Sequence, residues 1–272
     1  MRTGRGLPPL LAVAVLACLA GAAGSAAPAG AASQTTRVTT LCGARAHAAV
    51  TAQDGGHYLV KNDNYGGRPE CISNRGLRPN FTVVRSDADS YGPDVMAFPF
   101  VLYGCSWGLC TTGARLPAPL RALRTASATW YTAGQAARGR WNAAFDIWFG
   151  RHRSAAAGQA TGAELMIWLG AHDYPAGHAK IIRVDHRRWY VVHWVTSHDG
   201  KRWTYIQIRA VRRLSRVRHL ALLPVIRRIE RLGLVSRRWW LVNIEAGFEI
   251  WHGGQGLRTT SFSTHVVTDP AG

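Results

Sequence analysis

Past residue 35 the chain is built from short runs in which apolar and polar residues alternate, each closed by Gly, Pro, Asn or Asp. Successive side chains of a strand point to opposite faces, so a period of two marks a strand with one buried face. His57–Lys61, Phe81–Arg85, Ala97–Tyr103, Ala126–Tyr131, Trp141–Phe149 and Ala163–Leu169 read this way. So do Lys180–Val184, Trp189–Val195, Trp203–Ile208, Trp239–Ile250 and Ser261–Val267. Many short strands with few helical stretches bury their apolar faces best as two stacked sheets. The expected fold is therefore all-β, a β-jelly-roll sandwich of two antiparallel sheets. One segment departs from the pattern. Leu222, Ile226, Ile229 and Leu232 form one stripe, Arg227, Arg228 and Arg231 fill the other face, and Gly233 supplies a stop. That predicts one short helix with Pro224 near its start. No repeat or linker divides residues 33–272, which read as a single domain.

The N-terminus follows a different logic. Arg2 and Arg5 precede an apolar run, Leu10–Ala20, and an alanine-rich stretch containing Ala29-Gly30-Ala31. This is the layout of a secretory signal, so residues 1–32 are expected to be removed and the protein to be secreted. The run is too short for a good membrane span. Val15-Leu16-Ala17-Cys18 loosely resembles a lipoprotein box, and anchoring through Cys18 is the alternative. Cys42, Cys71, Cys105 and Cys110 remain after cleavage. An even count in an exported chain implies disulfides, with three connectivities open. The Cys105–Cys110 spacing suits a tight local loop, which leaves Cys42 for Cys71. No His stands at ligand spacing from either pair, which argues against zinc. With 47% hydrophobic residues the chain is not a disordered polymer. Its formal charge of +18 comes almost wholly from Arg, since only Lys61, Lys180 and Lys201 are lysine. Export argues against nucleic acid as partner. The basic stretch Arg209–Arg231 offers contact to an anionic surface or polymer, with a solvated face as the plainer reading.

Acids are few, 15 against 33 basic residues, so their positions are informative. Three lie in strongly apolar strands. Asp146 shares a face with Trp148, Glu164 shares one with Met166 and Trp168, and Glu249 shares one with Glu245 and Trp251. The opposite faces carry Phe145, Ile147 and Phe149, then Leu165, Ile167 and Leu169, then Phe248 and Ile250. Those faces are the expected core. A buried carboxylate is costly unless it is paired, and pairing with one of the many Arg residues is the ordinary outcome. Three acids in the same arrangement, each beside Trp, point elsewhere. Indole faces stack on sugar rings, and two carboxylates beside such a floor are the apparatus of glycoside hydrolysis. One acid must then be ionised and the other protonated near neutrality.

Four segments carry a resemblance. Asn62–Gly66, Phe145–Phe149, Gly162–Leu169 and Ala246–Gly254 are similar to motifs of glycoside hydrolase family 12, with Gly256-Leu257 and Ser261–Ser263 extending the match. The loop from Cys105 to Cys110 also looks like that of bacterial members. The resemblance implies a secreted, retaining endo-β-1,4-glucanase or xyloglucanase on a jelly roll, needing no metal or organic cofactor. It implies Glu164 as nucleophile, Glu249 as general acid/base, and Asp146 as a third acid hydrogen-bonded beside the nucleophile. It places Asn62, Tyr65, Trp148, Met166, Trp168, Pro175 and Trp251 on the substrate. The implied partner is a β-glucan polysaccharide, bound by a monomer. Met166 followed by Trp168 fits a glucanase better than a related jelly-roll xylanase. The alternative from another class is a non-catalytic, secreted carbohydrate-binding protein. Departures from the family pattern are Tyr65 in place of Trp, the sequence of the loop after Leu169, and Glu245 where bacterial relatives often carry Gln. Glu245 is expected to raise the pKa of Glu249 as a like charge on the same strand face.

Overall fold

The computed structural model describes residues 37–134, 136–153, 161–174, 179–198 and 200–269. Residues 1–32, expected to be a signal, and with them Cys18, lie outside the described residues, as does Pro175. Residues from Thr36 onward form one compact unit. In chain order the elements are β1 (Val38–Cys42), β2 (His47–Thr51), β3 (His57–Lys61), β4 (Glu70–Arg75), β5 (Phe81–Ser86), β6 (Phe100–Ser106) and β7 (Leu109–Cys110). There follow β8 (Ala118–Pro119), β9 (Leu123–Ala133), β10 (Gly139–Gly150), β11 (Ala163–His172), β12 (Lys180–Val184), β13 (Arg187–His198) and β14 (Lys201–Ala210). The chain closes with β15 (Arg216–Ala221), α1 (Leu222–Arg231), β16 (Trp240–Leu241), β17 (Asn243–Gly247), β18 (Ile250–Gly253) and β19 (Arg258–Thr268).

These strands make the expected two-sheet jelly roll. The smaller sheet runs β1-β4-β5-β19-β9-β15 and the larger β12-β13-β14-β11-β10-β17-β6-β3-β2. Pairing is antiparallel except between β11 and β14, which run parallel. The alternation read from the sequence holds where it matters. Phe145, Ile147, Phe149, Leu165, Ile167 and Leu169 turn into the sandwich, where Trp130 meets Phe145 edge-on with ring centroids 5.2 Å apart. The other face of β10, β11 and β17 is thereby left for chemistry. Both disulfides form: Cys42–Cys71 joins the register partners of β1 and β4, and Cys105–Cys110 closes a local loop.

The helix is where its apolar stripe placed it. Leu222, Val225, Ile226 and Ile229 are buried, and Gly233 follows at φ 74°. Pro224 lies in the first turn, where a missing N–H has no intrahelical partner to lose. Leu232 is the exception to the stripe: it caps the helix and is 37% exposed. Two strands differ from expectation. The run from Ala97 becomes ladder only at Phe100, because Pro99 has no N–H to donate and Ala97 makes isolated bridges instead. The run Trp239–Ile250 is broken into β16, β17 and β18, and the break before β18 is what presents Glu249.

Candidate active site

The face of the larger sheet that turns away from the core collects four carboxyls. In the β10–β11 ladder Trp148 stands opposite Glu164 and Asp146 opposite Met166. On the other side of β10, Asp146 stands opposite Glu245 of β17. Glu249 arrives from the gap between β17 and β18, and Asn142 of β10 fixes it there. The backbone N–H of Glu249 donates to Asn142 Oδ1 at 3.2 Å, and the Asn142 N–H donates to the Glu249 carbonyl at 2.9 Å. The Asn142 side-chain amide also donates to Glu249 Oε2.

Two indoles hold the neighbouring pair. Trp203 Nε1 donates to Glu164 Oε2 at 2.7 Å, and Trp148 Nε1 donates to Asp146 Oδ2 at 3.0 Å. The two rings pack on each other with centroids 5.6 Å apart. Asp146 Oδ1 is buried without a partner, so the expected hydrogen bond from Asp146 to Glu164 is not made. The indole of Trp148, on the same strand face, takes the oxygen that would have reached across. Glu245 accepts from Asn243 Nδ2 at 2.8 Å, and Asn243 Oδ1 accepts the Trp148 backbone N–H at 3.0 Å.

Burial dominates the electrostatics. It pushes Glu164 up to about 8, with Glu249 and Glu245 adding to the rise and the Trp203 donor opposing it. It pushes Glu249 up to about 7, with the Asn142 donor opposing it. Asp146 and Glu245 are both driven well above the carboxylate range, first by burial and then by other carboxylates, Glu164 on Asp146 and Asp146 on Glu245. The expected action of Glu245 on Glu249 is therefore corrected. Glu245 faces Asp146 across the ladder, is raised by it and itself raises Glu164, while the rise at Glu249 comes from burial. The sequence also expected Glu164 to be the more acidic of the two glutamates. Both are raised instead, Glu164 the further, because the charges of Glu249 and Glu245 add to burial there, while burial alone raises Glu249.

The aromatic residues divide differently from expectation. Met166, Trp168 and Trp251 are 2–3% exposed and pack together with Ala144 as a buried floor. Tyr174 covers that floor, 4.7 Å from Trp168 and 5.3 Å from Trp251 between ring centroids, and the Arg140 guanidinium lies over Tyr174 and Trp251. Trp168 and Trp251 thus support the site from beneath and are not themselves open for stacking. Asn62 is also corrected: it is fully buried and points the same way as Tyr58 and Val60, into the sandwich. Its amide donates to the carbonyls of Gly43 and Glu70, which ties a turn to β4. Tyr65 is on the open side, 57% exposed. Its hydroxyl pKa is pushed well up, by the walls around it and then by Glu249, Asp63, Asp146 and Glu164. The share that comes from the carboxylates places the hydroxyl within electrostatic reach of the acids.

Asn142, Trp203 and Tyr205 carry the site and were not singled out in the sequence. Tyr205 stands opposite Glu164 in the parallel β11–β14 pairing, and its hydroxyl is pushed well up by burial and then by Glu249 and Glu164. Alternation along β14 puts Trp203 and Tyr205 on one face, but only the parallel pairing brings that face to Glu164.

Carboxyls of raised pKa, held by fixed donors over an aromatic floor, are the equipment of an acid–base glycosidase. The comparisons agree. The model of glycosyl hydrolase family 12 matches residues 79–267. A metagenome-derived family 12 endoglucanase superposes with TM-score 0.77 at 32% identity, over 86% of this chain and 99% of that one. The endoglucanase cel12A from Rhodothermus marinus superposes with TM-score 0.76 at 35% identity, over 85% and 99%. A family 12 xyloglucanase from Bacillus licheniformis shares the fold, with TM-score 0.71 at 18% identity over 84% and 100%. No curated protein matches the chain in sequence. The chain belongs to glycosyl hydrolase family 12.

Proposed function

We propose that the protein is a retaining endo-β-1,4-glucan hydrolase acting on cellulose-type, mixed-linkage or xyloglucan chains. Glu164 is the nucleophile: its carboxylate attacks the anomeric carbon while Glu249 gives its proton to the leaving glycosidic oxygen. Water then displaces the sugar from Glu164, with Glu249 taking the proton from water. The observation that carries the reading is the pair of separately anchored carboxyls, Glu164 on Trp203 and Glu249 on Asn142. Asp146 holds its proton above the usual carboxylate range, so it need not oppose a negative charge on Glu164. Glu249, near 7, is an acid matched to work close to neutrality. Since Glu164 stands about a unit higher, the form with Glu164 ionised and Glu249 protonated is a minor fraction of the free protein. Whatever lowers Glu164 enlarges that fraction. Residues 1–32 as a signal and release to the exterior complete the reading.

Reducing-sugar release from barley β-glucan, carboxymethyl cellulose and xyloglucan tests it. Wild type should act on at least one, and Glu164→Gln should lose nearly all activity while still binding that polymer. Binding by wild type without any sugar release would make the protein a carbohydrate-binding module instead.

A further inference from the structure

A row of side chains leads away from Glu164 across the sheet. Trp148 stands opposite Glu164 on β10, Tyr205 opposite Glu164 on β14, and Trp194 opposite Tyr205 on β13. Register partners share a face, so Trp194 lies on the same open surface as the carboxyls. Trp194 and Tyr205 pack with ring centroids 4.3 Å apart and an interplanar angle of 33°. Tyr205 joins the buried floor of Met166, Trp168 and Trp251, while Trp194 is 48% exposed and belongs to no core cluster.

We propose that Trp194, backed by Tyr205, is a stacking platform for a glucopyranose unit of the bound chain, about two sugars beyond the unit that Glu164 attacks. The proposal rests on the glucan-hydrolase reading. Neighbouring strands lie about 4.8 Å apart, so Trp194 is roughly 10 Å from Glu164 across two strands, about the length of two β-linked pyranose units. A β-linked glucopyranose presents apolar C–H faces, and these cover indole surface that is otherwise left in water. One face of the Trp194 ring is taken by Tyr205, which fixes the ring and leaves the other side for the sugar. Gln207 shares the face of Tyr205 and stands opposite Val192, which places an amide beside the platform for hydroxyl contacts. The row therefore continues an existing site and has one kind of occupant, the polysaccharide whose reacting unit sits over Glu164.

The test is chain-length dependence. An aryl β-cellobioside fills the positions next to the cut and stops short of Trp194, whereas cellohexaose reaches it. In Trp194→Ala the ratio of kcat/KM on cellohexaose to kcat/KM on the aryl β-cellobioside should fall about tenfold or more, the loss of a half-buried aromatic contact. Trp194→Phe should recover most of that ratio, which separates stacking from a general disturbance. A ratio within twofold of wild type in Trp194→Ala overturns the proposal, whether both substrates are slowed equally or neither is. If wild type cleaves no glucan, the catalytic reading fails, and calorimetric titration of cellohexaose into wild type and Trp194→Ala still decides the platform. Weaker binding by the variant supports it and equal binding overturns it.

Discussion

Replacing Trp203 by Phe removes one hydrogen-bond donor and leaves an aromatic ring to pack beside Trp148. The donor lies 2.7 Å from Glu164 Oε2, a distance typical of a bond to a charged acceptor. Such bonds contribute about 1.5–3 kcal/mol, and one pKa unit corresponds to about 1.4 kcal/mol. The bond favours the ionised carboxylate, so it holds Glu164 below the level that burial alone would set. Its loss should raise Glu164 by about one to two units above its present value near 8. The productive protonation state shrinks by the same factor, so kcat/KM at pH 6 should fall about ten- to hundredfold. A carbon NMR titration of glutamate-labelled protein reads the first effect directly, and kinetics on a soluble β-glucan read the second. Glu249, held by Asn142 and not by Trp203, should titrate as before. An unmoved Glu164 titration with activity within twofold of wild type would refute the reasoning.

Three further outcomes are expected. Glu245→Gln removes a like charge that raises Glu164, so Glu164 should titrate lower and kcat/KM should rise, with Glu249 unchanged; a shift at Glu249 alone would contradict the assigned geometry. Glu70 is 3% exposed, its oxygens lack a full hydrogen bond although Ser86 faces it across the ladder, and burial raises it from 4.5 to about 8. A folded-state pKa raised in this way contributes stability below the unfolded value that is lost as pH rises toward 8, so wild type should melt progressively lower from about pH 4.5 to 8 while Glu70→Gln should lose less. Equal slopes of melting temperature against pH would contradict it. Opening the Cys42–Cys71 bridge, which spans 29 residues, should cost about 3–4 kcal/mol by loop entropy, measured as a lower denaturant midpoint in Cys42→Ala/Cys71→Ala; an unchanged midpoint would refute it.

The sequence made the sandwich legible because its alternation is strongest in the strands that flank the site. β10 and β11 each show one wholly apolar face, and that face is the core. Edge strands were harder. β1 and β2 bury only part of one face, and β15 lies within an Arg-rich run whose charges obscure its period. Among the site residues, alternation found Asp146, Glu164 and Glu249 but not their partners. A hydrogen bond from Trp203 to Glu164 depends on two strands running parallel across 39 residues of sequence, which no single strand reveals. Glu245 illustrates the same limit: its own strand suggested Glu249 as neighbour, and the ladder gave it Asp146. Trp168 and Trp251 were read as open because they share faces with acids, yet Tyr174 and Arg140 cover them.

The central claim is that Glu164 and Glu249 cleave a β-1,4-glucan by double displacement. Proton NMR of the first anomer released from cellohexaose or a soluble β-glucan tests it most directly. Two inversions at the same carbon leave the configuration unchanged, so the β anomer should accumulate first and then mutarotate. An α anomer as the first product would mean a single displacement by water and would contradict the account.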